Sequence, residues 1–293
     1  MTDPVSGTPE SPPKATTKRS RERPDAAPEG FRRIRLTVAY DGTAYCGWQV
    51  QPEGMSVQGC LEAALGRIFR SGPRAVGSSR TDTGVHARGM AVHFDVPEAE
   101  WRMTPDKLVL AVNAHLPEDI RVVAAARAKE DFHARFDAVG KQYRYTVWNA
   151  PAHDPLGMRQ QWHVPRPIDV AAMRAAAASL VGRHDFLAFS ASPGYERHHT
   201  VRHVTRCDVL RSGPRLTVVI EADGFLYKMC RGIVGTLVQV GHGRFRPDAI
   251  APMLATRDRR LAGMTAPALG LVLWRVFHRR PGMPRRPHPA DLE

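Results

Sequence analysis

The order of short alternating segments between residues 31 and 277 restricts this chain to few folds. Polar and apolar side chains alternate in Phe31–Tyr40, as in a strand with one buried face, and apolar residues at helical spacing follow in 57–70. The first half continues as two strands, a helix and a strand, and in the second half strands and helices alternate in a similar order. This order predicts an α+β fold in which helices cover one face of largely antiparallel sheets.

The two ends of the chain differ in composition from the middle. Residues 1–30 contain six prolines, and residues 279–293 contain four prolines and a basic excess. Such segments bury too little apolar surface to offset the entropy of ordering, so we expect two disordered tails. The middle is predicted to form an N-terminal α+β domain, 31–138, and a C-terminal α+β domain, 139–278, around a central cleft.

The charge of the chain favours a polyanionic partner. Its 42 Lys and Arg exceed its 29 Asp and Glu by +13, of which the N-terminal tail contributes nothing and the C-terminal tail +2. The folded part is therefore strongly basic, which points to nucleic acid, with general basicity as the alternative. No apolar run is long enough for a signal peptide or a membrane span. The four scattered cysteines suit reduced thiols, so we expect a cytoplasmic protein.

The segment best suited to carry chemistry is 78–87, SSRTDTGVHA, between two predicted strands. An Asp followed by Thr-Gly often does no more than cap a tight turn. This loop also contains Arg80, whose charge is permanent, and His86. Asp82 is therefore a candidate catalytic carboxylate, with turn capping as the alternative.

This loop resembles the G-R-T-D-A-G-V-H-A signature of the bacterial tRNA pseudouridine synthase A family. The resemblance covers residues 34–277, and its further motifs are YDGTAYCGWQ (40–49), SVQGCLE (56–62), DFHARFDAVGKQYRY (131–145), GRHDF (182–186) and FLYKMCRGIVG (225–235). Ser79, Thr83 and Gly232 depart from the usual Gly, Ala and Asn. The resemblance implies a pseudouridine synthase fold of two RRM-like, ferredoxin-like halves.

The same resemblance implies an isomerase that converts uridine to pseudouridine in the anticodon stem-loop of tRNA, at positions 38, 39 and 40. The reaction breaks the N-glycosidic bond and rejoins the uracil through carbon 5, so it needs neither a cofactor nor a metal. Asp82 would attack the ribose C1′ or the base, or remove a sugar proton. The resemblance leaves these three routes open.

An ionised carboxylate in a site without water needs a cation beside it, since burial raises its pKa. Arg231 is the candidate, because Tyr227, Val234 and Val238 would share its face of a helix predicted over 225–240. An arginine among apolar neighbours is costly unless it is paired. We therefore predict an ion pair between Arg231 and Asp82, with a solvent-exposed arginine as the alternative.

The resemblance places three more residues around a uridine that leaves its stack. Tyr143 would stack on the uracil and assist removal of the carbon 5 proton, although a tyrosine in such a strand is also expected as a packing residue. Arg80 would reach into the RNA and hold the flipped conformation, or be an ordinary surface arginine. Leu271 would line the uracil pocket, or be a core residue of a strand.

Two other functions stay open. His198, His199 and His203, with Asp185, suggest a metal-dependent nuclease, but residues 200–210 are predicted as a strand and no Cys or Glu set completes a metal site. A non-catalytic RNA-binding protein with RRM-like domains is the other alternative, and no RNP-type aromatic motif supports it. We expect tRNA as the partner and no membrane association, and the resemblance implies a homodimer.

Overall fold

The computed structural model describes residues 26–191 and 199–279. Most of both predicted tails and His198 lie outside these residues. Within them the chain forms ten strands and five α-helices. The strands are β1 (Phe31–Tyr40), β2 (Val76–Gly77), β3 (His86–Pro97), β4 (Ile120–Arg127), β5 (Ala138–Trp148), β6 (Trp162–His163), β7 (Gly182–Asp185), β8 (Val201–Ser212), β9 (Arg215–Ala222) and β10 (Leu271–His278). The α-helices are α1 (Val57–Gly66), α2 (Pro105–Asn113), α3 (Val170–Ala178), α4 (Met229–Gly241) and α5 (Ile250–Thr256).

All ten strands belong to one sheet with the order β4-β1-β3-β10-β5-β9-β8-β7, to which β2 adds beside β3 and β6 beside β5. Only the β3–β10 and β5–β6 pairs are parallel. This confirms the predicted α+β class with largely antiparallel strands. The strands of the two predicted halves form one continuous sheet, because β10 pairs with β3 on one side and with β5 on the other. The division between residues 138 and 139 remains a prediction.

One face of the sheet supplies the core. Its apolar residues, among them Leu36 on β1, Val92 on β3 and Tyr145 on β5, are fully buried in a single cluster with residues of α1 to α5. On β5, the residues between these buried positions include Arg144, which is only half-buried. Tyr143 shares the core face with Tyr145, since successive side chains of a strand alternate between faces. The helices and Tyr143 therefore lie on the same side of the sheet.

Polar residues cap the starts of two helices. The Ser56 hydroxyl accepts a hydrogen bond from the Gly59 amide at the start of α1, and Thr104 caps α2 ahead of Pro105. Polar caps of this kind satisfy amides that have no partner inside the helix.

The helix predicted over 225–240 begins later than expected, at Met229. Lys228 has a φ of 58°, the left-handed conformation, so an α-helix cannot extend through it. Tyr227 therefore precedes α4 and does not share a helix face with Arg231, which corrects that part of the prediction. Arg231 lies in the first turn of α4.

Helix α4 is fixed in place by close backbone contacts. A Cβ at Gly232 would collide with the carbonyl oxygen of Phe189, and a Cβ at Gly235 would collide with that of Met264. The Asn that the family usually has at position 232 would not fit here without a shift of this contact. These contacts set the height of Arg231 above the sheet. No helix in the described ranges combines the length and apolar character needed to cross a bilayer.

Candidate active site

The loop that contains Asp82 runs from β2 to β3 as a closed turn. The Val85 amide donates to the Asp82 carbonyl at 3.1 Å, and Gly84 has a φ of +74°. Among the described residues, the Asp82 carboxylate accepts a hydrogen bond only from Arg231. The turn is thus closed by backbone groups, and the carboxylate is not used to cap it.

The 40–49 segment supports this loop from the side. The Trp48 amide donates to the Thr81 carbonyl at 3.2 Å, and the Tyr40 hydroxyl lies 2.8 Å from the Thr81 hydroxyl. Gly47 has a φ of +100°, and a Cβ there would crowd the same carbonyl. Sequence reasoning gave these residues no role, although their motif belongs to the resemblance. They hold the residue next to Asp82 in place.

Arg231 lies opposite the carboxylate, as predicted. Its Nη1 atom is 3.4 Å from the Asp82 Oδ2 atom, and the two side chains are 15% and 22% exposed. The Nε–H of Arg231 donates to the Ala266 carbonyl at 2.8 Å, and the Ala266 amide donates to the Arg231 carbonyl at 3.0 Å. The guanidinium is therefore anchored between α4 and the segment before β10. It does not extend into solvent.

The charge state of Asp82 depends on its burial and on the cations beside it. Burial raises the pKa of Asp82, and the positive charges of Arg231 and Lys228 partly oppose that shift. Both cations belong to the start of α4, where the helix dipole is also positive. Cations beside a half-buried carboxyl favour its anionic form over its protonated form.

Tyr143 is buried close to this pair. Its ring meets that of Phe225 nearly edge-on, at 80° with centroids 4.9 Å apart. Burial raises the pKa of Tyr143 far above its ordinary value, and the charge of Asp82 acts in the same direction. The phenol therefore stays protonated near the carboxylate. Ser79, one of the departures, has a buried hydroxyl beside the Tyr143 phenol, and it partly opposes the rise of the pKa of Tyr143.

The two other predicted residues border this site in different ways. Arg80 is exposed, and no hydrogen bond or ion pair joins it to the part of the chain that the structure describes. Leu271 is buried at the first position of β10, paired with Tyr145. The Tyr145 hydroxyl donates to the Pro267 carbonyl at 2.8 Å and so fixes the segment that leads to β10. Sequence reasoning assigned no function to this tyrosine.

The histidines that suggested a metal site do not form one in residues 26–191 and 199–279, where no three His, Cys, Asp or Glu side chains are suitably grouped. Asp185 instead accepts a hydrogen bond from the Thr200 hydroxyl and pairs with Arg257 at 2.8 Å. Its carboxylate thus joins β7 to the ends of neighbouring elements. The geometry gives the nuclease alternative no support.

Comparison with known proteins decides the family. The family model for tRNA pseudouridine synthase matches residues 36–137 and 176–278. This chain belongs to that family. The tRNA pseudouridine synthase A of Syntrophotalea carbinolica is 46% identical over 250 residues, which cover 84% of this chain and 96% of the relative. That of Moorella thermoacetica is 46% identical over 245 residues, 83% of this chain and 98% of the relative.

As a tRNA pseudouridine synthase, the protein is an isomerase that converts uridine to pseudouridine in tRNA. The resemblance found in the sequence is therefore confirmed, together with the class of reaction and the substrate. The alternative of a non-catalytic RNA-binding protein is set aside by the same result. The roles of individual side chains are a separate question.

Proposed function

We propose that this tRNA pseudouridine synthase modifies uridines 38, 39 and 40 of the anticodon stem-loop, with Asp82 as its catalytic carboxylate. The observation that supports Asp82 is its ion pair with Arg231 at 3.4 Å in a half-buried site. Tyr143 lies on the same face of the sheet. Within the described site, this arrangement combines an anion, a permanent cation and an aromatic ring.

In this proposal each residue has a defined task. The N1–C1′ bond breaks, the C5–C1′ bond forms, and the proton lost from carbon 5 is balanced by one gained at N1. An ionised Asp82 serves each of the three routes, as nucleophile toward C1′ or the base or as base toward a sugar proton, and Arg231 keeps it ionised. The Tyr143 ring stacks on the uracil, and its protonated phenol lies near the carbon 5 proton.

Two residues complete the substrate site. Arg80 is exposed and close to Asp82 in sequence, so its guanidinium is available to enter the space that the flipped nucleotide leaves. Leu271 supplies an apolar wall beside the end of the catalytic loop, since the next residue, Val272, pairs with His86. Both assignments follow from the family motifs.

We also propose that the enzyme is a cytoplasmic homodimer, in which one copy modifies the stem-loop while the other holds a different part of the tRNA. Light scattering of the purified protein tests this assembly. A monomeric mass at micromolar concentration contradicts it.

Tritium release tests the catalytic assignment. The purified protein is incubated with tRNA that carries tritium at uracil carbon 5 of positions 38, 39 and 40, and tritium in water is measured. We expect release by the wild type, no release by Asp82→Asn, and the same tRNA affinity for both proteins. Release by Asp82→Asn at the wild-type rate would remove Asp82 from the mechanism. If the wild type releases no tritium from this tRNA but releases it from tRNA labelled at other uridines, the anticodon stem-loop assignment is wrong.

A further inference from the structure

His86 is a residue of the 78–87 segment that the proposed mechanism does not use. It is the first residue of β3, four positions after Asp82, and it is only 3% exposed. Its Nε2 atom lies 2.9 Å from the Leu269 carbonyl oxygen, and its Nδ1 atom lies 3.0 Å from the Gly42 amide nitrogen. Both nitrogens of this buried imidazole are therefore engaged with backbone groups of other loops.

The partners of the imidazole determine where it carries its proton. A carbonyl oxygen only accepts hydrogen bonds, so Nε2 is protonated and donates to Leu269. The Gly42 amide only donates, so Nδ1 accepts from it when the ring is neutral. When the ring is charged, Nδ1 can donate instead to the Asp41 carboxylate, whose Oδ1 atom is 3.1 Å away. The bond to Leu269 is present in both states, because Nε2 carries a hydrogen in each.

Leu269 belongs to the short segment that anchors Arg231. Three residues before Leu269, the Ala266 carbonyl accepts a hydrogen bond from the Arg231 Nε–H at 2.8 Å. Pro267, which has a fixed φ, follows Ala266, and a single 3₁₀ turn follows Pro267, so this segment is stiff. A shift of the Leu269 carbonyl therefore also moves the Ala266 carbonyl and the guanidinium that is bonded to it.

His86 thus connects the two members of the ion pair. Its backbone continues the loop that carries Asp82, and its ring holds the segment that anchors Arg231. Tyr145 donates to the Pro267 carbonyl of the same segment at 2.8 Å, but it ties that segment to β5 and not to the catalytic loop. Among the described side chains that hold this segment, His86 is therefore the one that relates it to Asp82.

We propose that His86 is a positioning residue that sets the distance between Asp82 and Arg231. It acts through its hydrogen bond to Leu269, and the inference rests on the proposed function, in which Asp82 reacts as an anion. Of the two cations that act on Asp82, Arg231 and Lys228, only Arg231 is hydrogen-bonded to this segment in the described structure. The attraction falls with distance, so a displaced guanidinium lets burial raise the pKa of Asp82 further.

Two substitutions separate the two hydrogen bonds of the ring. The side-chain amide of Gln reaches the place of Nε2, whereas that of Asn reaches only the place of Nδ1. His86→Gln therefore keeps a donor for Leu269, and His86→Asn loses it but keeps a polar group toward Gly42. Tritium release is measured under single-turnover conditions from pH 5 to 9.

The expected result is a displacement of the pH–rate profile by one substitution only. In His86→Asn the rise of the profile should move to higher pH by about half to one pH unit, with a rate about three- to tenfold lower on its acid limb. His86→Gln should stay within about twofold of the wild type at every pH. Affinity for unmodified tRNA, measured in an Asp82→Asn background, should be the same with and without His86→Asn.

His93 provides a matched control on the same strand. It is also 3% exposed, and its Nδ1 atom accepts from the Ala134 amide at 3.1 Å, seven residues along β3 from His86. A purely structural role of a buried histidine lowers the melting temperature without moving the profile, and this is the result expected for His93→Asn.

Dependence on Arg231 gives the sharpest comparison. In an Arg231→Met background, His86→Asn should displace the profile no further, because the group that His86 positions is gone. Equal displacement in both backgrounds overturns the proposal, as does a His86→Asn profile that is not displaced. Nitrogen NMR of histidine-labelled wild type, with the signal assigned by its loss in His86→Gln, checks the bond with the ring in place. A neutral His86 ring protonated on Nδ1 overturns the proposal as well.

Tritium release by the wild type and its loss in Asp82→Asn are measured first. If both are observed and the profile of His86→Asn is not displaced, this inference fails and the proposed function stands. If the profile of Arg231→Met itself is not displaced, the electrostatic pairing in the proposed function fails, and the inference about His86 fails with it.

Discussion

Replacement of Arg231 by Met tests the electrostatic basis of the proposed site. The substitution keeps an unbranched side chain of similar length and removes the charge 3.4 Å from the Asp82 carboxylate. Burial already raises the pKa of Asp82, and Arg231 opposes that shift. Without Arg231 a larger fraction of Asp82 is protonated at neutral pH, so the rate there should fall.

The size of the effect follows from the distance. Two unit charges 3.4 Å apart interact by about 5 kcal/mol at an effective dielectric constant near 20 and about 1 kcal/mol in bulk water. The pair is 15% and 22% exposed, so solvent weakens it below the upper figure. We expect a loss of about 1.4 to 2.8 kcal/mol, which moves the rise of the pH–rate profile by about one to two pH units and lowers the rate on its acid limb about ten- to hundredfold.

The assay is tritium release under single-turnover conditions from pH 5 to 9. Activity that requires an ionised carboxylate rises with pH, and in Arg231→Met this rise should move to higher pH, with partial recovery of rate near pH 9. Arg231→Lys keeps the positive charge, so in this variant the rate should rise at nearly the same pH as in the wild type. Arg70→Met, at an exposed position just after α1, is the control. A profile in Arg231→Met that is lower at every pH but not displaced refutes the reasoning.

Three further predictions concern stability. Gly232→Ala places a Cβ against the Phe189 carbonyl and should lower the free energy of thermal unfolding by about 1 to 3 kcal/mol. Gly66→Ala has open space around the new Cβ and should be neutral or slightly stabilising. Equal melting temperatures for the two variants contradict this prediction. Burial lowers the pKa of His93 to about 3, so between about pH 6.5 and pH 3 this histidine binds a proton in the unfolded chain but not in the folded one. The free energy of unfolding in urea should therefore fall by about 1.4 kcal/mol for each pH unit below 6.5. His93→Gln should reduce this slope, whereas His115→Gln should leave it unchanged. Ser79→Ala removes a buried hydroxyl beside the Tyr143 phenol and should lower the free energy of unfolding by about 1 kcal/mol, and an increase would show that the hydroxyl has no bond to that phenol.

Local features of the fold and the central ion pair followed from the sequence. Ser56 and Thr104 cap the helices that they precede, because capping depends on residues within one turn. The Arg231–Asp82 pair was predictable because an arginine among apolar residues needs a nearby anion. The roles of Arg80 and Leu271 remain predictions of the family motifs.

Features that depend on contacts between distant parts of the chain could not be predicted from the sequence. Lys228 has a left-handed conformation, which prevents α4 from beginning at residue 225 as expected. Local propensity does not indicate this conformation for a lysine. Nothing in 271–278 alone indicates that β10 lies between β3 and β5, since many apolar strands suit a central position. The support of Thr81 by Trp48 likewise depends on a contact between separate loops.

The central position of β10 couples catalysis to completion of the whole fold. Asp82 precedes β3, whereas Tyr143 lies on β5, and in the described sheet β10 lies between these two strands and pairs with both. Pairing residues so distant along the chain is entropically expensive and slow. A denatured sample returned to native buffer should therefore regain secondary structure before it regains turnover, and any partly refolded species that lacks this last pairing would be catalytically silent.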